Sequence, residues 1–211
     1  MEQQSEEWFA ARVGKVTASR TADVMAKTKT GYSASRANYM AELIAERLSG
    51  QPAEGFKSAA MQWGTDCEPE ARKAYEFMTG NRVEECGFFN HPKGLKSGAS
   101  PDGLVGATGL VEIKCPNTAT HLETLLGATI EKKYLLQMHW QMVCTERAWC
   151  DFVSYDPRLP VDYRIHIQRV ELDQELVEEM TAEITKFLTE LDAKESELRK
   201  RFEIKPLLMA G

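Results

Sequence analysis

The stretch "SPDGLVGATGLVEIKCP", residues 100–116, decides how the rest of the chain is interpreted. It is short, rich in Gly and Val, and bounded by turn residues, which predicts a pair of strands joined by a tight connection. It also carries two carboxylates and an amine, in the order Asp102, Glu112 and Lys114. Such a pattern is either a surface hairpin with polar decoration or a metal site.

Strand geometry favours the metal site. Because alternate residues of a strand share a face, Glu112 and Lys114 point the same way and Ile113 points into the core. The hairpin returns Asp102 to the side of Glu112. Two carboxylates on one face suit Mg²⁺, and the main-chain carbonyl of Ile113 can supply a third oxygen. A lysine beside them can orient a water or stabilise charge that develops on a phosphate, which suits phosphodiester hydrolysis with two Mg²⁺ ions, or with Mn²⁺ in their place. On this stretch alone, a surface hairpin with a Glu112–Lys114 ion pair remains the alternative.

The composition is that of an ordinary globular chain. It has 211 residues, of which 43% are hydrophobic and 27% charged, and we expect a single domain over residues 1–205 with a loose tail at 206–211. No apolar run has the length of a membrane span, and the N-terminus has no apolar signal core, so we expect a cytoplasmic protein. The five cysteines are odd in number and lack CxxC spacing, which argues against a disulfide framework or a zinc knuckle.

The charge is distributed unevenly along the chain. The net charge is −6, which on its own argues against a nucleic-acid partner. However, residues 11–40 hold six bases against the single acid Asp23, whereas residues 171–204 hold eleven acids and five bases. Because salt limits electrostatic attraction to short range, a basic N-terminal face can bind a polyanion beside an acidic C-terminal helix. A solvated charge pattern without a partner is the alternative.

Periodicity predicts an α/β (α+β) fold with a central mixed β-sheet flanked by helices. Thr65 and Glu68 stand at capping-box spacing at the start of the fourth helix, and Gly80 closes it. The expected helices are 5–13, 16–27, 35–50, 63–81, 131–146 and a long C-terminal helix, and the expected strands lie in 82–90, 95–106, 109–116, 148–157 and 162–172.

Several separated motifs together resemble a known family. Asp102, Glu112 and Lys114 form the PD…ExK signature of the PD-(D/E)xK nuclease superfamily. The wider set resembles the lambda exonuclease family of viral recombination nucleases over nearly the full length. Its members are "WFAARVGKVTAS" (8–19), "WGTDCE" (63–68), "SPDG" (100–103), "VEIKCP" (111–116), "YLLQMHWQM" (134–142) and "AW…YDPR" within 148–158.

The resemblance implies roles at the metal site. Asp102 and Glu112 are similar to the family's metal ligands, with the Ile113 carbonyl as the third, and Lys114 to its catalytic lysine. Glu68 resembles the helix glutamate that approaches the metal, a role that its capping function does not exclude.

The resemblance also covers the surroundings of the metal site. Tyr134 and Gln137, one helical turn apart, resemble the family's polar pair beside the metal; an ordinary amphipathic face is the alternative. Arg12, Ser19 and Ser100 resemble the pocket that holds the 5′-phosphate of the degraded strand, a task that suits the paired donors of arginine. For Ser19 the competing role is a helix N-cap.

Two further positions resemble residues that contact the duplex. Met61 falls where the family places an apolar wedge that splits the duplex end, and Lys29 where a basic residue enters the minor groove. Both differ in residue type from the leucine and arginine found there in the family. A buried core methionine and a solvated lysine are the alternatives.

The activity that the resemblance implies is a Mg²⁺-dependent 5′→3′ exonuclease acting on one strand of linear double-stranded DNA. It would start at 5′-phosphorylated ends, release mononucleotides and leave a 3′ overhang for recombination by strand annealing. The resemblance also implies a ring-shaped homotrimer and a single-strand annealing protein as partner. The alternatives are an endonuclease, an iron–sulfur nuclease, against which the absence of cysteines after Cys150 argues, and a non-catalytic DNA-binding or annealing module on the same scaffold.

Overall fold

The computed structural model describes residues 2–53 and 58–202, so the expected tail at 206–211 lies outside the described residues. The helices are α1 (Glu6–Arg12), α2 (Thr21–Met25), α3 (Ala34–Ser49), α4 (Ala59–Thr79), α5 (Thr118–Leu125), α6 (Lys132–Thr145) and α7 (Gln174–Phe202). The strands are β1 (Val16–Thr17), β2 (Lys27–Thr28), β3 (Gly31–Tyr32), β4 (Val83–Glu84), β5 (Phe89–Asn90), β6 (Ser97–Ala99), β7 (Gly103–Val105), β8 (Gly109–Lys114), β9 (Trp149–Tyr155) and β10 (Ile165–Glu171).

The main sheet has five strands in the order β10-β9-β8-β7-β4. Strands β8 and β9 run parallel, and the other neighbours run antiparallel, so the sheet is mixed. A second sheet has the order β1-β6-β5, and β2 pairs with β3 in a separate hairpin. A central mixed sheet flanked by helices is the fold class predicted from the sequence, which is therefore confirmed.

The two faces of β8 meet different helices. Val111 and Ile113 pack in one cluster with Ala71 of α4, whereas Leu110 packs in another with Met138 of α6. Because strand residues alternate between faces, Glu112 shares the α6 side with Leu110. The other side of α6 packs into a third cluster with α2, α3 and α7, and α6 is therefore enclosed on both sides.

The helix predicted for residues 16–27 is wrong. Val16 and Thr17 form β1 and pair in parallel with β6, a single 3₁₀ turn follows over Ala18–Arg20, and only Thr21–Met25 is α-helical. The β-branched pair at 16 and 17 favours a strand, and a neighbouring strand with which to pair makes that preference decisive.

The strands predicted for 82–90 and 95–106 are each broken in two. The first becomes β4 and β5, and the second becomes β6 and β7, and in both cases the two halves belong to different sheets. Residues 100–102 therefore cross from the small sheet to the main sheet. The helix α5 was not anticipated; the signal for it was Asn117, whose side chain accepts a hydrogen bond from the Thr120 N–H as an N-cap.

The capping box expected at Thr65 and Glu68 is also wrong. Helix α4 begins at Ala59, one turn earlier than predicted, and Ser58 caps it by accepting from the Met61 N–H. Thr65 lies inside the helix and its hydroxyl donates to the Met61 carbonyl. Since Glu68 is thus free of a capping duty, its carboxylate is available to the site described below.

Candidate active site

The carboxylates of Asp102 and Glu112 meet where β7 begins and β8 ends, at the edge of the main sheet formed by these strand ends. The antiparallel register of β7 and β8 pairs Gly103 with Val111, which places Asp102 opposite Glu112 just beyond the paired segment. Asp102 Oδ2 accepts a hydrogen bond of 2.7 Å from the Ile113 N–H. In an extended strand the N–H and C=O of one residue project to the same side, so the Ile113 carbonyl shares this edge with Asp102.

Glu112 is completely buried and held by three side chains. Gln137 and Gln141, one turn apart on α6, each donate an Nε2–H bond of 2.6 Å, the first to Oε1 and the second to Oε2. Lys114 forms an ion pair with Oε1 from the same strand face, as the alternation predicted. Sequence reasoning missed Gln141; its spacing of four residues from Gln137 was the available signal.

The charges of this group perturb one another. Burial raises the pKa of Asp102 well above its usual value, and the neighbouring Glu112 carboxylate raises it further. Burial alone would lower the pKa of the Lys114 ammonium, but the Glu112 and Asp102 carboxylates outweigh that effect and raise it above its ordinary value. The neighbouring carboxylates therefore favour the protonated, cationic form of Lys114.

Glu68 faces the same edge from α4. It lines a cleft of about 550 Å³ together with Asp102, Arg72 and Cys86. Its Oε1 lies 2.6 Å from Arg72 Nη2, an ion pair one turn along the helix. Burial raises the pKa of Glu68, and the Arg72 charge opposes that rise. The carboxylate therefore stands at the cleft wall next to the predicted ligand Asp102.

Tyr134 lies on the other side of Lys114. The Lys114 Nζ is 5.0 Å from the centre of the Tyr134 ring, and both side chains line a pocket of about 300 Å³ with Phe152 and Ser154. Gln137 thus contacts the Glu112 carboxylate, and the Tyr134 ring lies beside the Lys114 ammonium. The structure brings the predicted polar pair to the same site.

The donor set at this edge fits a small, hard cation. Across the described residues, no three side chains of His, Cys, Asp or Glu form a ready-made metal cage. The ligands on offer are the carboxylates of Asp102 and Glu112 and the carbonyl of Ile113, all oxygens on one edge. Mg²⁺ prefers oxygen ligands, needs few from the protein and retains several waters, so these residues are suited to hold it.

The predicted phosphate pocket begins two residues before Asp102. Arg12 Nη1 lies 3.4 Å from Ser100 Oγ, and the indole Nε1–H of Trp8 donates to the same hydroxyl at 2.8 Å. The Arg12 guanidinium stacks on the Trp8 ring, 4.0 Å from its centre. Burial lowers the pKa of Arg12, which nevertheless stays charged at neutral pH. Sequence reasoning missed Trp8, whose indole contacts both the Ser100 hydroxyl and the Arg12 guanidinium.

Ser19 lies near the end of the strand that leads to Ser100, but it is not hydrogen-bonded to the other two residues of the predicted pocket. Strands β1 and β6 are parallel, with Thr17 opposite Gly98, so Ser19 and Ser100 lie two residues further on at the same end of the two strands. Ser19 is exposed in the 3₁₀ turn, and its hydroxyl lies 3.4 Å from that of Thr17. Within the described residues its hydrogen bonds do not join it to Arg12 or Ser100. The N-cap role is not observed either, because Thr17 is the cap residue of that turn.

Met61 and Lys29 occupy two exposed positions. Met61 is 60% exposed and shares a cleft of about 540 Å³ with Arg12 and Trp8, so it is not a core methionine. Lys29 lies at the exposed turn between β2 and β3. Glu183 of α7 holds that hairpin by accepting from Lys27 Nζ at 2.7 Å and the Tyr32 hydroxyl at 2.6 Å.

An ion pair between the buried Asp156 and the half-exposed Arg158 connects the surroundings of the site. Asp156 is fully buried and its Oδ1 lies 2.7 Å from Arg158 Nε. Arg158 also donates to the Pro116 carbonyl at 3.0 Å and stacks 4.7 Å from the centre of the Trp63 ring. This clamp connects the end of β8, which carries Lys114, to the start of α4, which carries Met61. The "YDPR" and "WGTDCE" motifs therefore meet in space.

Known proteins resemble this chain in sequence and fold. Residues 7–148 match the model of the YqaJ-like viral recombinase domain. The structure of an alkaline exonuclease, LHK-Exo, from Laribacter hongkongensis is 54% identical with a TM-score of 0.86, and the match covers 93% of this chain and 97% of that chain. LHK-Exo in complex with dAMP matches at 54% identity with a TM-score of 0.87 and the same coverage.

A more distant match shows the fold alone. A phage-related exonuclease from Haemophilus somnus 129PT is 17% identical with a TM-score of 0.71, over 87% of this chain and 96% of that chain. A search of curated proteins found no significant match. In residues 2–53 and 58–202, none of the helices combines the length and apolar character that a membrane span requires. The family match over most of the chain and the close structural relative agree with the motifs, and the chain therefore belongs to the YqaJ-like viral recombinase family, in its lambda exonuclease group.

Proposed function

We propose that this protein is a Mg²⁺-dependent 5′→3′ exonuclease that degrades one strand of linear double-stranded DNA from 5′-phosphorylated ends. Its products would be mononucleotides and a 3′ single-stranded overhang, the substrate for recombination by strand annealing. The named activity of the relative, an alkaline exonuclease, and its crystallisation with the mononucleotide dAMP support this proposal.

One observation carries the proposal. Ser100, which contacts Arg12, and Asp102, which meets Glu112, are two positions apart on the segment that joins the two sheets. Two extended residues span at most about 7 Å, the length scale of a single nucleotide. A strand whose 5′-phosphate is bound at Arg12 would therefore present its next phosphodiester to the carboxylates, which yields mononucleotides.

The residues have separate tasks in this reaction. A Mg²⁺ ion held by Asp102, Glu112 and the Ile113 carbonyl would neutralise the phosphate and activate a water for attack. Lys114, kept protonated by its neighbours, donates hydrogen bonds to the oxygens on which charge develops. Arg12 grips the terminal phosphate with paired donors and so selects the 5′-phosphorylated end.

The assembly and the partner are proposals that rest on the family. A homotrimeric ring around DNA would allow processive digestion, and a single-strand annealing protein would load on the exposed 3′ overhang. The exposed Met61 and Lys29 would act on the incoming duplex, the first as a wedge at the strand split and the second in the minor groove.

The test compares DNA forms and metals in one assay. Linear duplexes and covalently closed circles are incubated with the protein in Mg²⁺, in Mn²⁺ or in EDTA, beside an Asp102→Ala variant. We expect mononucleotide release from linear DNA only, with either metal, and none in EDTA or from the variant. Equal digestion of closed circles would favour the endonuclease alternative, and undiminished activity of Asp102→Ala would disprove the site assignment. DNA binding without digestion in any metal would favour the non-catalytic alternative.

A further inference from the structure

Gln141 is a buried polar residue for which the proposed reaction assigns no task. It lies in α6, is completely buried, and its Nε2 donates to Glu112 Oε2 at 2.6 Å. It differs from Gln137, which holds the other oxygen of the same carboxylate, because Gln137 is not among the fully buried residues. Gln141 therefore sits behind the carboxylate, on the side away from solvent.

The orientation of the Gln141 amide is fixed by its partner. A carboxylate oxygen only accepts hydrogen bonds, so the NH₂ group and not the carbonyl must face Glu112. The amide carbonyl, Oε1, is then left buried, and the described part of the chain offers it no hydrogen-bond partner. A buried polar atom without a partner is unfavourable, so an apolar side chain of the same shape would suit this position better for packing alone. The contact with Glu112 is what the glutamine provides.

The contacts limit how Glu112 can bind a cation. A carboxylate has about two acceptor sites on each oxygen. Gln137 and Lys114 occupy Oε1, and Gln141 occupies one site on Oε2. The site that remains is on Oε2, so Glu112 can offer one oxygen but cannot chelate through both without losing a donor. Mg²⁺ uses such single oxygens in a strict octahedron, whereas the larger Ca²⁺ accepts two-oxygen chelation and irregular geometry.

We propose that Gln141 is a positioning residue that fixes the orientation of Glu112 Oε2, the oxygen left for the cation, and so favours Mg²⁺, which needs strict octahedral geometry, over Ca²⁺. This inference rests on the proposed metal site at Asp102 and Glu112. It assigns to Gln141 a role that can be read from metal binding without DNA present.

The test measures metal binding to the purified protein by calorimetric titration with Mg²⁺ and with Ca²⁺. In Gln141→Met, whose side chain has a similar shape but no donor, we expect Mg²⁺ affinity to fall about 10-fold, as is typical when a partner of a metal ligand is lost. Ca²⁺ affinity should change less, so the ratio of the two affinities falls. Gln141→Asn, which withdraws the amide by one methylene, should lower the ratio in the same direction and serves if Gln141→Met does not fold.

Two controls separate the possible failures. Met142→Leu changes a buried neighbour on α6 that does not hold Glu112, and it should leave both affinities at the wild-type value. Asp102→Ala should abolish Mg²⁺ binding; if it does not, the proposed metal site itself is wrong. If Asp102→Ala loses the metal while folded Gln141→Met and Gln141→Asn keep the wild-type Mg²⁺ to Ca²⁺ ratio, the positioning role alone is overturned.

Discussion

The two ends of residues 100–116 differ in how tightly the fold holds them. At one end the Glu112 carboxylate is completely buried and bound by three side chains. At the other end Ser100 meets the Arg12 guanidinium through one hydrogen bond of 3.4 Å, and Arg12 lines an open cleft that contains the 60% exposed Met61. This difference indicates which step each end serves, because bond cleavage needs fixed geometry, whereas a DNA end has to enter and leave.

The layers of the fold explain this difference. Glu112 lies between the main sheet and α6, and α6 is itself enclosed by α7 and the smaller helices. Arg12 and Met61 lie at the ends of α1 and α4, at the rim of the sheets. Changes at the buried end should therefore remove catalysis, and changes at the open end should alter which DNA ends are used.

The largest expected effect is at Lys114. Lys114→Met removes the cation next to the reacting phosphate while keeping much of the packing, so the cleavage rate should fall by about 10²- to 10³-fold. Binding of a duplex end, measured by fluorescence anisotropy in Ca²⁺, should remain within a fewfold of the wild type. A rate that falls less than about 10-fold would contradict the role of Lys114.

The next effect is at the open end. Arg12→Ala removes the charged donor of the phosphate pocket, so the preference for a 5′-phosphate over a 5′-hydroxyl should fall by about 10- to 100-fold. The rate on 5′-hydroxyl ends should change little. Arg20→Ala is the matched control, because Arg20 lines the same cleft but is already paired with Asp23 and Glu42. An unchanged preference in Arg12→Ala would mean that the pocket is misplaced.

The Asp156–Arg158 clamp, which connects the end of β8 to the start of α4, should stabilise the fold in a pH-dependent way. Burial would raise the pKa of Asp156, but hydrogen bonds from Arg158 and Thr118 outweigh it and lower the pKa from 3.8 to about 2. A carboxyl with a lowered folded-state pKa adds stability above its unfolded pKa and loses it as the pH falls through the folded value. Asp156→Asn should therefore cost about 2 kcal/mol of unfolding free energy at neutral pH.

Chemical denaturation between neutral pH and about pH 2 measures this loss. The difference between the wild type and Asp156→Asn should be constant down to about pH 4 and shrink between there and about pH 2. The 5′-phosphate preference of the variant should match that of the wild type. A stability difference that does not depend on pH in this window would show that the charge of Asp156 is not what stabilises the clamp.

The smallest effect is expected at Met61. Its side chain is mostly exposed, so Met61→Ala should cost about 1 kcal/mol or less, a fewfold reduction in rate. The loss should appear on blunt duplex ends and disappear on ends that are already frayed, because a wedge is needed only where strands must be separated. Lys29→Ala, on the separate β2–β3 hairpin, should weaken the binding of blunt and of frayed duplex ends equally. An equal loss on frayed and blunt ends would remove the wedge role from Met61.

Much of the buried end was predictable from local pattern. Alternation along β8 placed Glu112 and Lys114 on one face and Ile113 in the core, and the spacing of two carboxylates indicated the metal site. The four-residue spacing that brings Gln141 to Glu112 was visible too, but nothing in one sequence tells which face of α6 meets the sheet.

The remainder depended on contacts between distant segments. The single helix predicted for 16–27 and the single strand predicted for 95–106 both fail because Val16 and Thr17 pair with β6, some 80 residues away. Local propensity cannot report such a pairing. The same pairing brings Ser19 to the end of the strand that leads into Ser100, so the parts missed in the fold are the parts that assemble the open end.

The terminal phosphate and the cleaved bond should be one nucleotide apart, because residues 100–102 connect the phosphate pocket to the metal site. The most direct test uses a linear duplex with a radiolabelled 5′-phosphate and analyses the first labelled product by rapid quenching in Mg²⁺. We expect the label to leave as a 5′-mononucleotide from the first turnover. Release of the label on di- or oligonucleotides, or its retention on the long strand while unlabelled mononucleotides accumulate, would contradict it.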